Sequence, residues 1–221
     1  MPSWLDGTAR PDPGWADPHG LVAIGGRLEP DTLLGAYRVG VFPWSSEPVI
    51  TWWSPDPRAI FDLATFRTHR TVERSARRAG WRFSVDRDFE GVMRGCAQSA
   101  PGREETWISE DFVRAYVALH RRGHAHSVEV WEGERLVGGI YGVAIGGFFG
   151  GESMFHRVTD ASKAAVGHLV ERLRAGGYVL FDAQVQNPHL ARLGSLEIPR
   201  RDYLARLRAA LEVTARLAPE S

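Results

Sequence analysis

LVGGIYGVAIGGFFGGESMF (residues 136–155) is an almost uninterrupted apolar, glycine-rich run that carries one carboxylate, Glu152. Two apolar arms joined by Gly146-Gly147 predict a β-hairpin, because glycine supplies the positive φ that a two-residue turn requires. With that pair as the turn, regular pairing sets Glu152 opposite Tyr141 and on the same face as Met154. A carboxylate in such surroundings is paired, protonated or waiting for a ligand, unless the strand end brings it to solvent. The glycines around it strip side chains from the strands and let a ligand approach the backbone. The stretch reads either as the floor of a binding site or as a solvent-facing strand end.

Working outward, helical periodicity brackets the hairpin. Residues 31–39 place Leu33, Leu34 and Tyr37 on one face, and residues 86–98 bury Phe89, Val92, Met93 and Cys96. Ser109 is an N-cap for a helix running to Gly123, with Phe112, Ala115, Tyr116 and Leu119 as its apolar stripe. A strand over 127–131 leads into the hairpin. Residues 160–175 form a helix with Ala165, Val166, Leu169, Val170 and Leu173 inward, stopped by Gly176-Gly177. A last helix over 201–217 buries Tyr203, Leu204, Leu207 and Leu211. Between these two helices, the strand at 178–185 sets Val179, Phe181, Ala183 and Val185 on one face and Asp182 with Gln184 on the other. Two polar neighbours in a strand otherwise fit for a core mark either a site or a half-exposed edge.

The N-terminal part differs in character. Residues 1–30 are rich in Pro, Gly and Asp and read as irregular. GVFPWSSEPVITWWSPDPR (residues 40–58) holds four prolines and three tryptophans, Trp44, Trp52 and Trp53. Proline denies regular structure, while tryptophan buries area without a long core element. These residues make a small domain over 1–64, followed by a larger one over 65–221. At the start of the larger one, RTHRTVERSARRAGWR (residues 67–82) sets six arginines against one glutamate. Arg70, Arg74, Arg77 and Arg78 follow i, i+4, i+7, i+8 spacing and share one helical face. A solvated face and a polyanion-binding face both fit.

The 221-residue chain is long enough for a sizeable core, and its net charge is zero, so a nucleic-acid contact needs a local patch such as this stripe. Cys96 is the only cysteine, which excludes an internal disulfide and fits a reducing compartment. No leader pattern or membrane-length apolar run occurs, so secretion and membrane insertion are not expected. Lys163 is the only lysine among 27 Lys and Arg, as GC-rich coding would produce. His120, His124 and His126 cross a helix end with no second ligand cluster, so no metal is expected. No GxSxG elbow, HExxH motif or Walker loop is present, and GGFFGG lacks the placement of a dinucleotide fingerprint. Trp107 precedes a helix start, where it serves either as core or as a stacking platform.

GGRL (25–28), AYRVGVFPW (36–44), WWSPDPR (52–58), TWIS (106–109), AYVALHRRGHAHSVEVW (115–131), the hairpin itself, ASKAA (161–165), FDAQVQNPHLARLG (181–194) and EIPRRDYL (197–204) closely resemble the leucyl/phenylalanyl-tRNA–protein transferase family. The resemblance runs in order over nearly the whole chain, and FPW, WWSPDPR and GGESMF together are highly specific. Two departures are Ala183, where the family usually has Cys, and a slightly longer SAPGREE segment (99–105).

The resemblance implies an α+β fold: a small N-terminal α/β domain plus a C-terminal domain like the GCN5-related (GNAT-like) acyltransferases. It implies transfer of Leu or Phe, and less well Met, from aminoacyl-tRNA to the α-amine of proteins beginning with Arg or Lys. The tagged proteins enter N-end-rule degradation. A cytoplasmic monomer with no cofactor is expected. The resemblance makes Asp182 and Gln184 the catalytic pair. It places the terminal adenosine against Trp44 and Trp107, completes the site with Tyr116 and Glu152, and lines the acyl pocket with Ile140 and Met154. The Arg70/Arg74/Arg77/Arg78 face meets the tRNA backbone. An acetyl-CoA-dependent N-acetyltransferase of the same fold is the alternative, although HRVTD before residue 161 offers no glycine-rich pyrophosphate turn. A non-enzymatic RNA-binding module would leave Asp182, Gln184 and Glu152 without a task.

Overall fold

The computed structural model describes residues 11–46, 49–98 and 107–217, where the chain forms two sheets flanked by helices. The SAPGREE segment lies outside the described residues. The first sheet is antiparallel, in the order β1-β3-β2, from β1 (Leu21–Ile24), β2 (Phe42–Ser46) and β3 (Val49–Trp53), with α1 (Pro30–Arg38) after β1. The larger sheet is ordered β10-β4-β9-β8-β7-β6-β5. Its strands are β4 (Arg58–Phe61), β5 (Arg82–Val85), β6 (Ala125–Glu132), β7 (Arg135–Ile145), β8 (Phe148–His156), β9 (Leu180–Gln184) and β10 (Leu196–Ile198). The remaining helices are α2 (Arg70–Ala79), α3 (Phe89–Ala97), α4 (Glu110–Arg121), α5 (Ala161–Ala175), α6 (Pro188–Leu193) and α7 (Arg200–Leu211).

The predicted hairpin is β7–β8, and Gly146 takes a φ of 58° at its turn. Alternation along β6, β7 and β8 divides the core in two. Val128, Val130, Val137, Ile140 and Phe149 join the inward stripe of α5 on one face. Tyr141, Val143, Phe148 and Phe155 pack with α3 and α4 on the other. Burial of these apolar faces drives the layering.

Three expectations need correction. The region over 40–58 is not irregular, because β2 and β3 pair from Phe42↔Trp53 to Ser46↔Val49, and β1 adds to β3. Pro43 is tolerated because β2 is the sheet edge. The helices predicted over 86–98 and 201–217 are shorter, starting at Phe89 and ending at Leu211. Asp86 sits at φ 59°, and the Asp88 side chain accepts from Gly91 N as the cap. At the other end, the Ala210 carbonyl is taken by Gly147 N at 2.8 Å.

The third correction shapes the site. Tyr141 pairs with Ser153 and Gly142 with Gly151, so Glu152 is the extra residue of a β-bulge rather than the partner of Tyr141. Nor is β9 an edge, since it lies between β4 and β8. It carries its own bulge: Ile60 pairs with Asp182 and Ala59 with Gln184, which leaves Ala183 unpaired and Gln184 at φ 63°. The parallel ladder of β8 and β9 runs from Phe148↔Leu180 to Gly150↔Asp182 and then stops, although both strands continue.

Candidate active site

A cleft of about 340 Å³ opens where that ladder stops. Gly151, Glu152, Ser153 and Met154 of β8 form one wall, and Ala183, Gln184 and the following residues form the other. Phe61, Ile140, Val166, Phe181 and Leu190 supply apolar lining, while Trp44 and Trp107 also border the cleft. Their rings lie 6.3 Å apart at 56°. Among the described residues, Glu152 is the only carboxylate of this lining.

The two bulges turn their polar side chains towards one another. Gln184 Nε2 donates to Glu152 Oε1 at 2.8 Å, and Tyr116 Oη donates to Glu152 Oε2 at 3.0 Å. Tyr116 Oη in turn hydrogen-bonds Tyr37 Oη at 2.5 Å. Burial pushes the Glu152 pKa up to about 7, and nearby Asp182 adds to the rise. The tyrosine hydroxyls and Arg58 oppose it. Burial and the same carboxylate hold Tyr37 and Tyr116 well above their ordinary range, so both stay neutral donors.

Asp182 does not accompany Gln184 into the cleft, although alternation along the strand set the two on one face. It is fully buried and absent from the cleft lining. Arg58 grips it with two bonds, Nε to Oδ1 at 2.9 Å and Nη2 to Oδ2 at 2.7 Å. Tyr203 Oη donates to Oδ2 at 2.9 Å, and the Gln184 backbone N donates to Oδ1 at 2.8 Å. Arg58 also donates to the Gly40 carbonyl at 3.0 Å and lies over the rings of Phe42 and Tyr203. Burial works against the Arg58 charge, but Asp182, Tyr203 and Glu152 together outweigh it and raise its pKa. The lock ties β4, β9 and α7 together and fixes the backbone from which the Gln184 side chain reaches Glu152.

A family model, leucyl/phenylalanyl-tRNA protein transferase, matches residues 60–208, and the N-terminal-domain model of the same family matches 26–56. The chain belongs to that family. The transferase is 50% identical over 199 residues to the leucyl/phenylalanyl-tRNA–protein transferase of Shewanella piezotolerans, covering 90% of this chain and 84% of the relative. It is 52% identical over 206 residues to the one from Anaeromyxobacter sp. strain K, covering 92% and 88%. Among solved structures, L-PGS from Bacillus licheniformis aligns with a TM-score of 0.44 at 17% identity, over 72% of this chain and 51% of that one.

In this transferase, the residues singled out from sequence fall into three places. Trp44, Trp107, Ile140, Glu152, Met154 and Gln184 share the cleft, and Tyr116 touches it through Glu152. Asp182 lies behind Gln184. Arg70, Arg74, Arg77 and Arg78 are all exposed on α2, on the side away from buried Val72 and outside the cleft. His120 bonds the Ala125 carbonyl and stacks on Phe89, while His126 bonds Asp86. Sequence reading gave Tyr37 and Tyr203 places in helix cores but assigned no site role to them or to Arg58. A signal for Arg58 existed: it begins the apolar run Arg58-Ala59-Ile60-Phe61, and a charge in a buried strand demands a partner as much as Glu152 does.

Proposed function

We propose that this aminoacyltransferase moves a leucyl or phenylalanyl group, and less well a methionyl group, from aminoacyl-tRNA to the α-amine of a protein beginning with Arg or Lys. The product is the tagged substrate of N-end-rule degradation. The observation that carries the reading is the Gln184–Glu152 bridge set between an apolar lining and the Trp44–Trp107 pair. Leu and Phe suit an acyl pocket without polar partners, and bases stack on tryptophan at about 1–3 kcal/mol each. The single carboxylate of the lining favours a cationic acceptor over an anionic one.

The donor ester is already activated. The acceptor nitrogen bonds to the acyl carbon, the ester C–O bond to the ribose breaks, and the proton shed by the amine ends on the ribose oxygen. An N-terminal amine has an ordinary pKa near about 8. Glu152, near 7, lies close enough to receive that proton without a large mismatch. The Gln184 amide orients the amine or donates to the developing oxyanion. Asp182 acts through Gln184, whose backbone N it holds. Most of the rate comes from holding both substrates in register.

The antiparallel β6–β7–β8 run, the α5 crossover and the parallel return in β9 support a GNAT-like catalytic domain after a small N-terminal one. The donor ties the reaction to the compartment of translation, the cytoplasm. Acetyl-CoA is disfavoured because the turn before α5 holds no glycine and Asp160 sits there at φ 72°, where a pyrophosphate would meet its carboxylate. The test is incubation with labelled leucyl-tRNA and an Arg-initiated peptide. Label in the peptide supports the reading; label from acetyl-CoA instead overturns it.

A further inference from the structure

A second cleft, of about 230 Å³, lies between the start of α2, α5 and α6. We propose that it binds a phosphate of the donor tRNA backbone, an inference that rests on the function proposed above. Arg67, His69, Lys163, His189 and Arg192 line it, with no carboxylate in the lining. In a chain of zero net charge, such a local excess of one sign is a built feature.

The charges in this cleft are only partly answered. Lys163 Nζ holds Asp160 at 2.6 Å. Arg67 Nη1 donates to the carbonyls of Ala64 and Phe66, neither of which neutralises its charge. Among the described residues, Arg67 and Arg192 have no carboxylate partner. Burial, and then the charges of Lys163, Arg192 and His156, press the His189 pKa down. No side chain caps the first turn of α2, so the helix dipole adds to that field. Phe66, Val72 and Leu193 form an apolar floor that limits screening.

The position suits the same substrate that fills the active site. Val166 of α5 and Leu190 of α6 line the acyl cleft, while Lys163 and His189 of the same helices line this one. The two clefts therefore share helix walls. Thr71 and Val72 of α2 line the second cleft, so the helix that carries the exposed arginines also supplies one of its walls.

The test uses the double variant Arg67→Gln/Arg192→Gln, which leaves the α2 stripe and the acyl cleft intact. Transfer is measured from full-length leucyl-tRNA and from a phosphate-free donor, leucyl-adenosine. KM for leucyl-tRNA should rise about tenfold, and the slope of log affinity against log salt should fall by about 0.7–0.9 for each phosphate no longer neutralised. Both parameters for leucyl-adenosine should stay unchanged. An unchanged KM and slope with tRNA, or equal losses with both donors, overturns the proposal. Inorganic phosphate competing with tRNA in the parent but not in the variant supports it, whereas phosphate binding without any change in tRNA affinity reassigns the cleft to a free anion and overturns it. If the parent transfers from neither donor, the proposed function fails, and salt titration of tRNA binding still decides this site.

Discussion

Gln184 Nε2 donates to Glu152 Oε1 at 2.8 Å across the gap where β8 and β9 cease to pair. Continued past Gly150↔Asp182, the β8–β9 register would set Glu152 beside Gln184, so the side-chain bond keeps that pairing after the backbone ladder has stopped. Glu152 is the inserted residue of one bulge, and Gln184 sits at φ 63° beside the unpaired Ala183 of another. The bond therefore joins two interruptions of regular pairing, and each is anchored from behind. Tyr116 holds the carboxylate at 3.0 Å, and Asp182 holds the Gln184 backbone at 2.8 Å.

Gln184→Ala should lower kcat by about 10²-fold, the usual cost of one preorganised donor in acyl transfer. KM for aminoacyl-tRNA should change little, because the aromatic pair and the acyl lining remain. Steady-state transfer to an Arg-initiated peptide measures both, and an unaltered kcat would remove Gln184 from the chemistry.

Glu152 should impose a rising pH limb on the reaction. Its pKa of about 7 leaves it largely protonated at pH 6 and ionised at pH 8, so kcat should climb through that window. Glu152→Gln should lose the limb. The same shift affects stability: a carboxyl raised from 4.5 to about 7 favours folding fully below pH 4.5 and loses that contribution as pH rises to about 7. The full loss corresponds to at most about 3 kcal/mol, reduced by water reaching the cleft. Denaturation midpoints should thus fall less between pH 4.5 and 7 in Glu152→Gln than in the parent.

Arg58→Met should destabilise the protein by about 3–5 kcal/mol, because it strands the Asp182 carboxylate in a fully buried site. At about 2–4 °C per kcal/mol for a chain of this size, thermal unfolding should come some 10 °C earlier. Arg58→Lys should not restore it, since one ammonium cannot make the forked contact. Equal stability of all three proteins in thermal scans would show the lock to be dispensable.

What could be read from sequence follows from how local its cause was. The α5 and α4 stripes were legible because 3.6-residue periodicity and caps lie within the segment itself. The hairpin was legible because two glycines fix its turn. The bulge at Glu152 was not, because a register shift is decided by the partner strand and by packing across the sheet. The strand β2 was hidden by Pro43, which an edge strand tolerates, and its partner β3 went unread with it. Arg58 and Tyr203 lie 145 residues apart, and only the fold brings them together. Trp44 and Trp107 lie 6.3 Å apart, and no local pattern links them.

The α2 arginines face solvent, so a solvated stripe and a tRNA contact make different predictions. Replacing Arg70, Arg74, Arg77 and Arg78 by Ala should flatten the salt dependence of tRNA affinity by up to about 0.9 per arginine. Folding should be unaffected, because among the described residues only Arg77 has a carboxylate partner, Glu73 at 3.9 Å. An unaltered salt slope would show that the stripe only keeps α2 soluble.

Met154 pairs with Ile140 across β7 and β8, and both line the acyl cleft. An unbranched thioether adapts to the branched leucyl and planar phenylalanyl groups alike. Truncating it leaves a gap that a small acyl group does not need filled but a large one no longer fills. Each methylene removed from such a pocket is worth about 1–3 kcal/mol of discrimination. Met154→Ala should therefore lower kcat/KM for leucyl-tRNA at least about tenfold relative to alanyl-tRNA, measured by competition between the two charged donors. Because the side chain is only half-buried, the fold should survive the change, so a loss confined to selectivity would place the pocket here. Selectivity equal to that of the parent would move it to another part of the apolar lining, Val166 and Leu190.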